Sequence, residues 1–310
     1  MRLGDHCGRY LAEVADDRDD VWVLDADLAD SDGAVHFATE HPDRFVQGGI
    51  AEQSLVSMAA GMAACGLRPW VFSFASFLCF RAYDQIRVAL SQSRQPVALV
   101  GSHAGGCAAR NGKTHAALND LALMTSLPGL RVWSPGDPGE VALAVDDVLA
   151  AGEPAYLRLP RRPLGALPGE PSVLRWVTRP APIALVATGL STHLALDACA
   201  IAEAQGIDAG VVHCARLAPF PAGELAEFLR ACTHVVTVED HVTTGGLGSL
   251  VRECTDRAPL AVLGWPPGWT GASGSDADLL ASAGLDPFGI SARVAAIAAG
   301  AGDGVAVGRR

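Results

Sequence analysis

Gly48-Gly49-Ile50-Ala51-Glu52-Gln53 is the stretch on which the reading of this chain turns. Phe45 and Val46 before it read as the end of a strand, and the two glycines turn the chain. From Ser54 to Ala64 the apolar residues Leu55, Met58, Ala59, Met62 and Ala63 follow a helical spacing. Strand, glycine turn and helix together make the repeating unit of an α/β fold. Glu52 opens a helix that reads as buried, since Arg68 is the single arginine between Ala51 and Trp70. A carboxylate there has two readings. One is an N-terminal acid that complements the helix dipole. The other is a desolvated carboxyl with raised pKa that handles a proton. The residues on either side bear on the choice.

Toward the N-terminus, Arg2 to Asp16 reads as a helix and Val21-Trp22-Val23-Leu24 as a short apolar strand, which Asp25-Ala26-Asp27-Leu28 ends. Acids at the carboxyl end of a parallel strand lie where open α/β sheets bind ligands; a solvated turn is the alternative. Toward the C-terminus, Arg68 to Phe74 is a strand. Phe77, Phe80 and Tyr83 follow at i, i+3 and i+6, which on a helix puts three rings along one face. In a chain with 6% aromatic residues this concentration suits either plain core or a flat heterocycle stacked on rings.

Val97 to Val100 reads as a further strand, running into the glycine-rich stretch Gly101-Ser102-His103 through Asn111-Gly112-Lys113-Thr114-His115. Long loops in compact domains are commonly functional. The stretch lacks the spacing of a nucleotide-phosphate loop. Two histidines without carboxylates or cysteines at ligand spacing fit a substrate contact or proton transfer better than a metal. The strand Pro154 to Arg161 ends in a cation suited to a carboxylate or phosphate, or simply to the surface. Proline and glycine mark residues 166–181 as a linker. A second βα series follows, with strands at Ile183–Ala187, Asp208–His213 and His234–Val238. Glu239-Asp240-His241 then leads through Thr244-Gly245-Gly246-Leu247-Gly248 into a helix, and a last helix lies near Ser291–Ala299. The expected fold is α/β: two doubly wound domains, 1–165 and a smaller, mostly parallel one over 182–300. The tail 301–310 reads as loose, and its Gly-Asp-Gly at 302–304 as chance.

The 310 residues are half hydrophobic, with a formal net charge of −11. Such an acidic balance excludes nucleic acid as the expected partner, because phosphate binding needs a basic footprint. An anionic small molecule remains open if a few arginines converge in a cleft. Eight scattered cysteines without a CxxC pair read as reduced thiols. A charged, polar N-terminus and no apolar run of membrane length complete the expectation of a cytoplasmic protein.

Three stretches taken in order resemble the transketolase family: Gly49-Ile50-Ala51-Glu52-Gln53, Phe77-Leu78-Cys79-Phe80-Arg81-Ala82-Tyr83, and Asn111-Gly112-Lys113-Thr114-His115. Glu239-Asp240-His241 with the glycines after it is similar to the C-terminal domain which that family shares with deoxyxylulose-phosphate synthases and 2-oxoacid dehydrogenase β subunits. The likeness runs over nearly the whole chain. It implies that 1–165 is the pyrimidine-binding domain of a thiamine-diphosphate enzyme. Glu52 would bond the aminopyrimidine ring nitrogen, and Phe77, Phe80 and Tyr83 would pack on that ring. Asp27 would lie beside the cofactor. His103 and His115 would face the reacting oxygens of a ketose, and Arg2, Ser31 and Arg161 would anchor a sugar phosphate. Asn111 stands where the family has an Asp that contacts a substrate hydroxyl, and Lys113 where it has a Pro.

The family holds the cofactor diphosphate through Mg2+ or Ca2+ on a separate domain, whose Gly-Asp-Gly and downstream Asn are not found in 1–160. The resemblance therefore implies one subunit of a split enzyme, with an N-terminal transketolase subunit carrying diphosphate and metal, assembled as α2β2. The implied reaction moves a two-carbon ketol unit between sugar phosphates or related acceptors. The alternatives are a decarboxylating subunit of the synthase or dehydrogenase kind, and a catalytically silent interaction subunit.

Overall fold

The computed structural model describes residues 1–254, 260–268 and 272–300. Its strands are β1 (Val21–Asp25), β2 (Phe45–Gln47), β3 (Arg68–Phe74), β4 (Ala98–Ser102), β5 (Arg131–Trp133), β6 (Ala155–Arg158), β7 (Leu174–Trp176), β8 (Ile183–Ala187), β9 (Ala209–Cys214), β10 (Arg216–Ala218), β11 (His234–Val242) and β12 (Leu260–Trp265). They form a seven-stranded sheet in the order β10-β5-β6-β4-β3-β1-β2 and a five-stranded sheet in the order β12-β11-β8-β9-β7. Neighbours are parallel except β10 on β5 and β7 on β9. The α/β fold of two mostly parallel sheets is the one expected.

The strand residues explain the layered packing. Side chains alternate across a strand, so Val21, Val23, Trp70, Phe72, Ala98 and Val100 enter one core while Leu24, Val71 and Leu99 enter the other. Helices cover both faces, which is why these strands are apolar throughout rather than alternating with polar residues. Leu3, Cys7 and Leu11 of the first helix (Leu3–Ala15) close one core; Leu55, Val56 and Ala59 of the Glu52–Ala64 helix close the other. Helix starts are set by local chemistry. Asp137 accepts from the Glu140 amide at 2.9 Å ahead of Pro138, and Asp286 accepts from the Gly289 amide at 3.2 Å ahead of Pro287.

Four features differ from the sequence reading. The helix after β3 is not continuous: Ala75–Arg81 ends at Ala82, a short turn spans Tyr83–Gln85, and Ile86–Gln92 is π-helical. The stretch read as linker contains β7, which pairs with β9. Three residues are too few to show a period. β10, from the second half of the chain, crosses back to the edge of the first sheet. Glu239, Asp240 and His241 lie within β11, buried, rather than in a loop after it. Asp240 and His241 find partners in the first domain, which no local pattern can reveal. The tail 301–310, with its Gly-Asp-Gly, lies outside the described residues. Among the described residues no helix is long and apolar enough to cross a membrane.

The two halves share buried polar contacts. Arg175 of β7 reaches Asp137 (2.9 Å) and Glu140 (2.7 Å), and Glu140 continues to His213 of β9 at 2.7 Å.

Candidate active site

Strands β6, β4, β3 and β1 are neighbours in the sheet, so their carboxyl ends open onto one edge. That edge is where an open parallel sheet places its ligands. β3 delivers Phe74 there, β4 delivers His103, and the chain after β6 delivers Arg161.

His103 is only 6% exposed and holds a left-handed backbone, φ 55°. Such a conformation is uncommon for a non-glycine residue and costs backbone energy of order 1–3 kcal/mol. Its ring lies 4.1 Å from that of Phe74, centroid to centroid, and its Nδ1 lies 3.2 Å from Ser102 Oγ. Burial, reinforced by the positive charges of Arg161 and Arg2, pushes its pKa down to about 4. The imidazole is therefore neutral at physiological pH. His115 also packs edge-on to Phe74, at 6.0 Å, and to Phe77, at 5.3 Å. The two histidines thus both pack on one phenylalanine, although they lie twelve positions apart. They are brought together because the loop between them is pinched shut: Gly105 and Ala117 exchange both backbone hydrogen bonds at 3.2 Å.

His103 opens onto a cavity of about 910 Å³, whose wall also includes Arg2, Ser31, Arg161, Arg162 and Asp276. Arg2, Ser31 and Arg161 thus line one cavity. Arg2, however, is already engaged: its guanidinium binds Asp5 through Nε (3.0 Å) and Nη2 (2.7 Å) and the carbonyls of Asp30 and Ser31. Among the described residues Arg161 and Arg162 have no such partner. Exposure rises from His103 through Arg161 to Arg162, so the neutral imidazole lies deepest and the unpaired cations lie at the mouth.

Glu52 is fully buried at the first turn of its helix. It is not alone there. Arg81 Nη1 approaches Oε2 at 2.5 Å, and Ser73 Oγ lies 3.5 Å from Oε1. The Arg81 guanidinium also lies over the Phe77 ring, 4.5 Å from its centroid. The carboxylate is therefore one half of an ion pair at the helix start, buried on its own side and open on that of Arg81. Of the three rings, Phe77 joins this group. Phe80 is exposed, and the Tyr83 hydroxyl points to the Leu123 carbonyl at 3.4 Å. The break at Ala82 turns Tyr83 off the stripe. Asp27, exposed with φ 66°, donates its amide to Gln47 Oε1 at 3.0 Å and is not part of the cavity wall. Asn111 is exposed at the end of a 3-10 turn.

Phe74, Arg81, Arg162 and Asp276 join the site without having been singled out in the sequence. Phe74 stands at a strand end, and Arg162 adjoins Arg161, so position signals both. Asp276 comes from the far end of the chain and carries no signal. As for the implied cofactor, a buried carboxylate whose Arg81 partner lies over the Phe77 ring supplies an acceptor and an aromatic face that fit the aminopyrimidine half. Among the described residues no group of three or more His, Cys, Asp or Glu is placed to hold a metal ion.

Two family models match the chain: the transketolase pyrimidine binding domain over residues 1–165 and the transketolase C-terminal domain over residues 177–290. The chain belongs to the transketolase family. The 6-deoxy-6-sulfo-D-fructose transketolase subunit of Clostridium sp. (strain MSTE9) is 33% identical over 79% of this chain and 77% of its own length. An apulose-4-phosphate transketolase subunit of Actinobacillus succinogenes is 32% identical over 79% of this chain and 80% of its own. A solved structure described as a split gene transketolase, inactive beta4 tetramer, superposes with a TM-score of 0.86 at 32% identity, covering 95% of this chain and 97% of that one.

Proposed function

We propose that this chain is the pyrimidine-side subunit of a two-chain, thiamine-diphosphate-dependent transketolase that transfers a two-carbon ketol unit to an aldehyde acceptor bearing an anionic group. The observation that carries the reading is the cavity with a neutral histidine at its floor and two unpaired arginines at its mouth. An acceptor with a phosphate or sulfonate at one end and a carbonyl at the other matches that polarity. The relatives named as subunits support a partner chain, to which we assign the diphosphate and its Mg2+ or Ca2+. We take the assembly as α2β2. The exposed apolar side chains Ile50, Met58 and Phe80 beside Glu52 suit a covered surface of this kind.

When bound, thiamine diphosphate supplies the nucleophilic carbon and the electron sink. The chain supplies the rest. Glu52 would hold the aminopyrimidine ring through its buried carboxylate and would fix which ring nitrogen carries a proton, and Phe77 would pack on that ring. His103 and His115 exchange hydrogen bonds and protons with the substrate oxygens. A neutral imidazole does this in either direction: with Nδ1 protonated toward Ser102, Nε2 accepts; in the other tautomer it donates. Arg161 and Arg162 take the acceptor's anion. The stretch Arg158-Leu159-Pro160-Arg161 is somewhat similar to the decarboxylating relatives, but Arg158 is turned inward onto Asp120 at 2.8 Å.

The test is titration of the purified chain with thiamine diphosphate and Mg2+, alone and mixed with its candidate partner chain, followed by ketol-transfer and CO2 assays. Binding and ketol transfer in the mixture, reduced about 10²–10⁴-fold by Glu52→Gln, are expected. CO2 release would favour the decarboxylating reading. Full activity of Glu52→Gln would favour a silent interaction chain.

A further inference from the structure

We propose that Asp240 of the C-terminal half is a positioning residue for the histidine loop, so that strand β11 sets the geometry of a site whose wall it does not itself line. Four contacts converge on that loop's neck. Asp240 Oδ1 accepts from the Gly106 amide at 2.8 Å and from Trp265 Nε1 at 2.6 Å. Gly105 has φ 84°, and a Cβ there would collide with the Asp240 carboxylate; one on Gly106 would collide with the Trp265 ring. The fit is too close for any side chain at either position. Next to them, the Gly105–Ala117 pair closes the loop.

Asp240 is itself held. Arg158 Nη2 donates to the Asp240 carbonyl at 2.7 Å while its Nε binds Asp120 at 2.8 Å, and Tyr156 Oη donates to the same Asp120 oxygen at 2.8 Å. The neighbouring backbone is tied as well: the Val242 amide donates to the Leu118 carbonyl at 2.8 Å, and the Ala122 amide to His241 Nε2 at 3.2 Å. The helix Asp276–Ser282 packs on the turn Gly106–Asn111. His103 lies two residues before Gly105 and His115 two residues before Ala117. A shift of the neck therefore moves both imidazoles. These buried hydrogen bonds favour one arrangement of their members, although Asp240 Oδ2 and Asp120 Oδ1 have no hydrogen-bond partner among the described residues.

The activity arm of the test rests on the function proposed above; the exchange arm does not. Asp240→Ala, Gly105→Ala and Asp240→Asn are made in the full chain, with Arg175→Met as a control that breaks the other shared network. Amide hydrogen exchange at Gly105, Gly106 and Ala117 is expected to rise at least about tenfold in Asp240→Ala and Gly105→Ala. Asp240→Asn keeps an oxygen for both donors and should restore protection. In the reconstituted enzyme kcat should fall about 10²-fold with KM changed far less, the signature of a misplaced acid–base pair. Unchanged exchange at these amides in Asp240→Ala and Gly105→Ala, or an equal rise in Arg175→Met, would overturn the proposal. Raised exchange with unchanged kcat would leave the clamp standing and overturn the role given to the histidines.

Discussion

Phe74 packs against both His103 and His115, with ring centroids 4.1 Å and 6.0 Å away. That apolar ring contributes to the burial that keeps His103 neutral. The sign of the pH effect follows. The unfolded chain takes up a proton on His103 near the ordinary histidine value of about 6.5, whereas the folded chain does so near 4. The unfolded state binds more protons between those values, so stability falls as pH drops through that window. His103→Gln should flatten the denaturation midpoint against pH between about 4 and 6.5, read by urea titration. A profile as steep as the parent's would disprove the assignment.

Glu239 runs the other way. Burial pushes it up to about 8, and its Oε2 has no hydrogen-bond partner among the described residues. Between about 4.5 and 8 the folded state holds the proton that the unfolded state has released, so this group lowers stability as pH rises. Glu239→Gln should therefore be more stable than the parent at pH 8 by on the order of a few kcal/mol, with the gain shrinking toward pH 5. Equal gains at both values would count against it.

Arg81 is 43% exposed, whereas its partner Glu52 is fully buried. Arg81→Met leaves a carboxylate in the core without its counter-ion. A fully buried pair loses about 3–5 kcal/mol in this way; solvent screening of Arg81 reduces the expected loss to about 1–2 kcal/mol. The double variant with Glu52→Gln should recover most of it. Chemical denaturation of the four corners of this cycle decides the matter.

Arg162→Ala should raise KM for an anionic acceptor about tenfold and leave kcat within about twofold, since one charge-assisted contact is worth roughly 1.5–3 kcal/mol before screening. The effect should shrink at high salt and vanish with an uncharged aldehyde. Equal losses on both acceptors would place Arg162 outside the binding mouth.

Much of this is legible in the sequence because it is local. β1, β3, β4 and β8 are buried on both faces and so read as apolar runs, and Glu52, His103 and Arg161 stand where strand and helix ends put them. The Glu52–Arg81 pair is not legible: Arg81 lies 29 positions away and looks like an ordinary member of an aromatic helix. Tyr83 falls off the stripe because a helical spacing does not carry across Ala82, where the backbone changes its turn. Glu239, Asp240 and His241 stand out as a motif, but Gly106 and Ala122, which meet Asp240 and His241, lie more than a hundred positions upstream. Charges and aromatic spacing report what one segment can do. Which distant segment meets it is decided by the sheet order.

β10 gives that order a temporal meaning. Arg216–Ala218 is the outermost strand of the first sheet, yet it is made after several strands of the second. During synthesis, residues 1–165 emerge with the β5 flank uncapped, offering its unpaired amides and carbonyls to any passing strand. Only when residue 218 clears the exit tunnel can that flank be sealed. The two units are thus coupled in their making, and a gene cut at the apparent boundary between them would yield a first half whose open margin invites self-association.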